Sequence, residues 1–253
     1  DLSSGPALSN IEEIDAGYGN DHVIGTSGND YIEGNSGDDT LAGGAGDDTF
    51  KVYGSRAGTD QIDGGEGHDV IEGTRYNDVI NVEDGMRNIQ NVEEIDGGGG
   101  YDVLQAGAGD DTLDLSSGPA LSNIEEIDAG YGNDHVIGTS GNDYIDGNRG
   151  DDTLAGGAGD DRASGGQGND TYVFELDGSH DTFHGGSGWT DVIQLNAGGA
   201  DVDGNPWTIE VNGEVVDYDV ANHALELSPD SSGTITTEDG SQLDFDGVEK
   251  IVW

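Results

Sequence analysis

Residues 129–173 read AGYGNDHVI GTSGNDYID GNRGDDTLA GGAGDDRAS GGQGNDTYV, five blocks of nine without a gap. Each block has Gly at its fourth position and Asp at its sixth, and the eighth is Val136, Ile145, Leu154, Ala163 and Tyr172 in turn. This period leaves few folds open. The first six residues of a block must turn tightly, with backbone angles that Gly adopts at least cost. The last three form a short strand, in which only the eighth residue faces inward. Two blocks then make one 18-residue coil with a turn on each side, and coils stack about 4.8 Å apart. Block n comes to lie beside block n+2.

Stacking of this kind piles up negative charge. The 253 residues hold 54 Asp and Glu against 7 Lys and Arg, for a net charge of −47. Hydrophobic content of 32% with such a charge is otherwise the composition of a disordered chain. Internal ion pairs are too few to neutralise the carboxylates, so compaction is expected to require a multivalent cation. Oxygen-only ligands and the absence of Cys point to a hard ion, calcium before zinc or copper. Magnesium prefers a tighter and more hydrated octahedron. The expected ion-sharing pairs are Asp21 with Asp39, Asp30 with Asp48, Asp134 with Asp152, Asp143 with Asp161, and Asp152 with Asp170. The inward positions Val23, Ile32, Leu41, Phe50 and their copies give a thin core, so ion binding must contribute to folding. Five contiguous blocks in the second copy against four in the first make the second the expected stable nucleus, with Asp152→Ala costing more than Asp39→Ala.

Residues 1–48 recur as 114–161, differing only at Glu33/Asp146 and Ser36/Arg149. This 113-residue duplication divides the chain into an expected first module (1–113, interrupted near 82–96), a second module (114–195) and a C-terminal β-rich capping region (196–253). The segment DLSSGPALSNIEEID opens each copy, and its second half returns as NVEEID at 91–96; it reads as an enlarged coil or as a surface loop clamped by two isoleucines. The first run supplies Asp21, Asp30, Asp39 and Asp48. The pattern then loosens through Asp60, Asp69 and Asp78, where Tyr76 replaces the fourth glycine, and resumes at Asp102 and Asp111. After the five-block run come Asp181 and Asp191, the latter with one extra residue before the aspartate, a spacing expected to weaken its site. For Asp60 and Asp181 a solvated turn aspartate is an equal reading. Residues 208–220 alternate around Val-Asn-Gly-Glu, a hairpin signal, and HALELS, GTITTEDGSQLDF and GVEKIVW read as further short strands. All three Trp lie at or after Trp189, aromatic material for covering the open end of a solenoid.

The Gly-x-Asp steps quoted above resemble those of the RTX (repeats-in-toxin, hemolysin-type) proteins, whose signature is a nonapeptide Gly-Gly-x-Gly-x-Asp-x-U-x. The resemblance implies an all-β fold, a right-handed parallel β-roll (β-solenoid) with a C-terminal β-rich cap, and several bound Ca2+ ions. It also implies ligands. In RTX rolls the lower block gives the carbonyls two and four residues before its Asp, and the upper block those three and five before. That assigns Gly17, Gly19, Gly34 and Ser36 to the Asp21–Asp39 site, and Thr26, Gly28, Gly43 and Ala45 to Asp30–Asp48. Gly130, Gly132, Gly147 and Arg149 fall to Asp134–Asp152, and Thr139, Gly141, Gly156 and Ala158 to Asp143–Asp161. Asn148, Gly150, Gly165 and Gln167 fall to Asp152–Asp170. RTX chains typically leave Gram-negative cells unfolded through a type I channel and fold outside, where calcium is millimolar. The resemblance therefore implies transient contact with type I secretion machinery and a secreted or cell-surface location. Two parents fit: a large adhesin-like surface or secreted protein, or an exported enzyme or pore-forming toxin carrying this roll as an appendage. The C-terminal GTITTEDGSQLDFDGVEKIVW also looks like the segment that precedes a Hint-type autoprocessing domain in some RTX proteins.

Other chemistries find little support. The charge disfavours nucleic acid and anionic membranes, and without Cys there is no disulfide framework. The sequence has no basic region followed by an apolar run at its start and no apolar run of spanning length. It begins at Asp1 inside a repeat, and is read as part of a larger chain. His180 and His184 flank Asp181 at a spacing that does not converge them on zinc. No nucleophile–base–orienter set is present, so no catalysis is expected. One Thr per run, in GTSGND, is too few for the flat Thr ladder of ice-binding rolls, and no Lys-Ser/Thr follows the glycines as in a phosphate loop.

Overall fold

A computed structural model describes residues 13–54, 57–195, 207–218 and 222–253. The first copy of the DLSSGPALSNIEEID segment, apart from its last three residues, lies outside the described residues. The chain is all-β, a parallel solenoid, with one 3-10 turn at Asp84–Met86. It divides into two compact units, Asp1–Gly107 with Ser117–Ile127, and Ala108–Ser116 with Asp128–Trp253.

In the first unit, strands of two to six residues alternate between two parallel sheets. One carries Ile14–Asp15, Tyr31–Glu33, Thr49–Lys51, Val70–Glu72, Glu94–Asp96 and Ala120–Ser122; the other carries His22–Ile24, Thr40–Ala45, Gln61–Glu66 and Ile89–Gln90. Val79–Asn81 pairs with Val103–Gln105. The register keeps the inward residues over one another. Ile32 faces Phe50 and Val23 faces Leu41, both at 18 residues. Where the repeat loosens the offset grows, but the column holds: Leu41 faces Ile62 at 21 residues, Ile71 faces Ile95 at 24 and Ile62 faces Ile89 at 27. Extra residues are therefore extruded into the turns. Slipping the strand by one residue would instead expose its buried side chain. The segment 82–90, which departs from the repeat, fills its turn with the 3-10 element and returns Ile89 to the stack.

In the second unit one sheet runs from Thr112–Asp114 through His135–Ile137, Thr153–Ala155, Thr171–Phe174 and Val192–Leu195 to Gln242–Val252. It then turns back through His180–Ser187 and Arg162–Gln167 to Tyr144–Asp146. The strand Gln242–Val252 pairs in parallel with both His180–Ser187 and Val192–Leu195, so it closes the two faces of the roll as a last coil. On its other side it pairs antiparallel with Ala224–Thr237. The expected short strands are thus fused into two long ones. The Val-Asn-Gly-Glu hairpin joins Trp207–Val211 to Glu214–Val215, and Asn212 and Gly213 have φ of 52° and 82°, the double positive φ of a two-residue I′ loop. Trp207, Tyr218 and Trp253 pack together with centroids 5.3–6.3 Å apart. Trp189 does not join them: it is 92% exposed.

The core of each unit is one file of side chains. Ile32, Phe50, Ile71, Ile95, Ile145, Leu154 and Phe183 are fully buried, and Tyr172 stacks on Phe183 at 5.2 Å. With so narrow a core, the turns on either side become the second structural element of the fold, and they hold the aspartates.

Candidate metal centre

Each sixth-position aspartate turns its side chain back along the stack. Its Oδ1 accepts the backbone N–H of the aspartate one coil earlier. Asp21 N–H donates to Asp39 at 2.8 Å, Asp39 to Asp60 at 3.0 Å, Asp30 to Asp48 at 2.8 Å and Asp48 to Asp69 at 2.7 Å. Asp78 donates to Asp102 at 2.7 Å. In the second unit Asp111 donates to Asp134 at 2.8 Å, Asp134 to Asp152 at 2.7 Å, Asp152 to Asp170 at 2.9 Å and Asp170 to Asp191 at 2.8 Å. A parallel column runs from Asp143 to Asp161 at 2.9 Å and on to Asp181 at 3.2 Å.

Every aspartate singled out from the sequence thus stands in such a column, including Asp60 and Asp181, which are 9% and 3% exposed. The extra residue before Asp191 is absorbed outside the column: Trp189 and Thr190 N–H both reach Asn169 Oδ1 at 3.1 Å, and Asp191 is 1% exposed. Nor does Asp39 belong to one pair alone. Asp60 continues its column across a 21-residue coil, so Asp39 has the same two-sided setting as Asp152.

The second carboxylate oxygen has a different fate. The buried Oδ2 atoms of Asp21, Asp39, Asp48, Asp69, Asp102, Asp134, Asp152, Asp161 and Asp170 have no hydrogen-bond partner. A buried charged oxygen left so costs several kcal/mol of solvation. Burial accordingly pushes these carboxyls up, against the opposing backbone hydrogen bond and with neighbouring aspartates adding to the rise. Asp48 and Asp134 reach about 6, and Asp152, Asp161 and Asp170 about 7. Asp60 is pushed to about 7, mainly by burial.

Backbone carbonyls surround the same points. A methyl group built on Gly147 would stand 2.5 Å from Asp152 Oδ2 and 2.7 Å from Gly165 O, and one on Gly138 would stand 2.7 Å from Asp143 Oδ2 and against Gly156 O. One on Gly43 would meet Asp48 Oδ2 and Gly64 O, and one on Gly34 would meet Asp39 Oδ2. Of the other carbonyl positions, Gly17, Thr26, Gly130, Thr139 and Asn148 accept N–H groups of the coil above, and Ser36, Arg149 and Gln167 accept those of the coil below. A carbonyl keeps a second lone pair after one such bond. The oxygens of Gly19, Gly28, Gly132, Gly141 and Gly150 belong to the fourth position, which packs directly under the next coil. A methyl on Gly150, whose φ is +128°, would collide with Gly132 O. Ala45 and Ala158 N–H donate to Thr26 O and Thr139 O. The seams therefore offer paired carboxylates and inward carbonyls spaced for a hard cation. Among the described residues no three His, Asp or Glu side chains converge on one point, so an ion here would depend on those carbonyls.

Blocks with Thr in second place close differently. Asp143 Oδ2 receives the Thr139 N–H at 2.7 Å and its hydroxyl at 2.9 Å. Asp30 Oδ2 receives the same two groups from Thr26 at 2.6 and 2.9 Å. Asp78 Oδ2 receives the Thr74 hydroxyl at 2.8 Å. The Thr hydroxyl also takes the N–H of Gly28, Gly141 or Tyr76, which is how Tyr76 is accommodated where other blocks have glycine.

Two sets of residues were not singled out by the sequence reading. The fifth-position Asn or Asp forms an outer ladder of the opposite sense: Asn133 accepts Asp151 N–H, and Asp151 accepts Asn169 N–H, both at 2.8 Å. Its signal is the unbroken run of Asn or Asp before each motif aspartate. Glu93, Glu125 and Glu249 stand at the ends of aspartate columns and accept the N–H of Asp69, Asp102 and Asp191 at 2.7–2.8 Å. Their signal is the recurrence of Val/Ile-Glu-Glu/Lys-Ile. His180 and His184 pair with Asp244 and Asp246 at 2.9 and 2.8 Å.

The family profile of the RTX calcium-binding nonapeptide repeat (4 copies) matches residues 15–50, 56–71, 63–85, 91–119, 122–154 and 147–177, more than half of the chain. No curated protein matches it. Among solved structures, the extracellular lipase LipA from Serratia marcescens is similar at 18% identity and a TM-score of 0.25, over 92% of this chain and 39% of the lipase. The chain thus spans about two fifths of the length of that enzyme. Repeat by repeat, and over more than half its length, the chain belongs to the RTX calcium-binding nonapeptide-repeat family.

Proposed function

We propose that this chain is a calcium-folded β-roll of a larger secreted or surface protein, adhesin-like in build, which stays extended in the cell and during type I export and compacts outside. The observation that carries the reading is the set of buried Oδ2 atoms with no partner. Without a cation each is a charge buried at a cost, repeated up the column; with one, the same oxygens become ligands. The acid excess of 54 against 7 keeps an ion-free chain self-repelling. The role is structural: calcium makes a segment that is stiff outside the cell and unfolded within it, and the near-identical 113-residue copies suit a modular spacer. Asp21, Asp39, Asp48, Asp134, Asp152, Asp161 and Asp170 would hold ions with the carbonyls of the adjoining turns. Asp30 and Asp143, already closed by Thr, would hold them less tightly.

A calcium titration followed by calorimetry tests this. The reading requires several ions per chain and a folding midpoint above submicromolar and below millimolar calcium. A chain already folded at submicromolar calcium would overturn the export-and-fold reading.

A further inference from the structure

The glycine turn is missing at three described places, and each time the same short sequence replaces it: NVEEI at 91–95, NIEEI at 123–127 and GVEKI at 247–251. The backbone is the same in all three. The first residue has positive φ, 50° at Asn91, 51° at Asn123 and 63° at Gly247. The Glu and the residue after it both donate their N–H to the carbonyl of the aspartate one coil below: Glu93 and Glu94 to Asp69 O at 3.0 and 3.3 Å, Glu125 and Glu126 to Asp102 O at 2.9 and 3.2 Å, and Glu249 and Lys250 to Asp191 O at 3.0 and 3.1 Å. The Glu carboxylate reaches back to the N–H of that aspartate, the place an Asp Oδ1 fills elsewhere.

Asp69 and Asp102 are fully buried, and their Oδ2 atoms have no partner. Both are aimed at the new turn. A methyl built on Gly64 would lie 2.6 Å from Asp69 Oδ2 and against Asn91 O; one on Gly97 would lie 2.9 Å from Asp102 Oδ2 and against Asn123 O. Each point is thus flanked by an orphaned carboxylate oxygen and a carbonyl forced inward by the positive φ of an Asn. Accepting one N–H does not require charge, and Gln would do it equally well. A second carboxylate brought beside a buried first one costs free energy unless a cation lies between them.

We propose that Glu93 and Glu125 complete two cation sites of a second kind, with Asp69 and Asn91 O at one and Asp102 and Asn123 O at the other, each taking a hard divalent ion of the calcium class. The longer Glu side chain spans the gap that the missing glycine turn leaves. The ion columns then continue through the interruptions, and a loosened repeat need not be an ion-free one. This rests on the calcium reading above.

Ion stoichiometry and affinity, measured by calorimetric calcium titration, decide it for the unaltered chain, Glu93→Gln, Glu125→Gln and the double variant. Gln retains an oxygen for the Asp69 or Asp102 N–H and removes only the charge. Each substitution should remove one ion from the count or weaken one site at least about tenfold, as expected where ligand charge sets affinity, and the double variant should lose two. Glu94→Gln, in the same turn but hydrogen-bonded to Ser122 Oγ, should leave the count unchanged. If a Gln variant does not fold at any calcium concentration, Glu93→Asp and Glu125→Asp take its place, and weakened binding at one site is again required. Unchanged stoichiometry and affinity would overturn the Glu-completed sites and leave the calcium reading standing. An unaltered chain that binds no calcium would overturn both.

Discussion

Replacing Asp152 by Asn separates the two duties of a column aspartate. Asp152 Oδ1 accepts Asp134 N–H at 2.7 Å and its own N–H goes to Asp170 at 2.9 Å, while its buried Oδ2 has no partner. Asn keeps the acceptor and the shape, so the ladder survives and only the charge is lost. With calcium present, Asp152 borders two sites. A site filled at about 100 times its dissociation constant contributes about 2.7 kcal/mol, so losing both costs about 5 kcal/mol. For a chain of this size that is a fall in melting temperature of about 10–20 °C. In calcium-free buffer the sign changes: the unaltered side chain is either a buried charge or a proton acceptor pushed to about 7 by burial, and Asn removes that cost, so the variant should be no less stable. Thermal denaturation followed by circular dichroism, with millimolar calcium and with excess chelator, reads both arms. Equal falls in the two buffers, or none with calcium, would refute the reasoning. Asp143→Asn is the internal control, since Thr139 already closes its Oδ2; its calcium-specific fall should be the smaller.

Further outcomes follow from the same geometry. Asp39→Asn should lose about as much calcium-dependent stability as Asp152→Asn, because Asp60 gives it a second neighbour; a fall half as large would favour the simple count of contiguous blocks. Acid should compact the ion-free chain. Carboxyls raised by burial from 3.8 to about 6–7 bind more protons folded than unfolded, so stability is fully present below about 4 and is lost as pH rises through 6–7. The calcium-loaded chain should show the opposite trend, and a pH series of far-ultraviolet spectra with and without calcium checks both signs. Gly150→Ala, at φ +128° against Gly132 O, should cost about 1–3 kcal/mol or more, whereas Gly28→Ala, with only Thr26 Oγ1 at 3.9 Å, should cost far less in denaturant unfolding. Phe183→Ala should cost about 3–5 kcal/mol, since Phe183 is fully buried against Tyr172.

The roll was legible in the sequence because its period is enforced twice, by glycine turns and by one inward side chain per block. Where both signals are strict, as at Val136, Ile145 and Leu154, pairing follows at 18 residues. Where spacing varies, sequence alone had no means of pairing Asp60 with Asp39 or Asp191 with Asp170, since coil length is set by how much chain a turn can extrude. The inward column decides that, and Ile62 over Leu41 places Asp60. The Thr closure of Asp30 and Asp143 stayed hidden for another reason: the same Thr was read for its carbonyl, and its hydroxyl turned out to matter locally. The strand Gln242–Val252 looked like two because Gly247 interrupts it, yet both halves pair with the roll. Glu93 and Glu125 were passed over because the nonapeptide rule looks for Asp.

The central claim is that these columns cannot close without cations, and far-ultraviolet circular dichroism of one sample, first in chelator at neutral pH and then after addition of millimolar calcium, tests it most directly. A disordered spectrum that turns to β on calcium addition is the predicted result; a full β spectrum already present in chelator, unchanged by calcium, would contradict it.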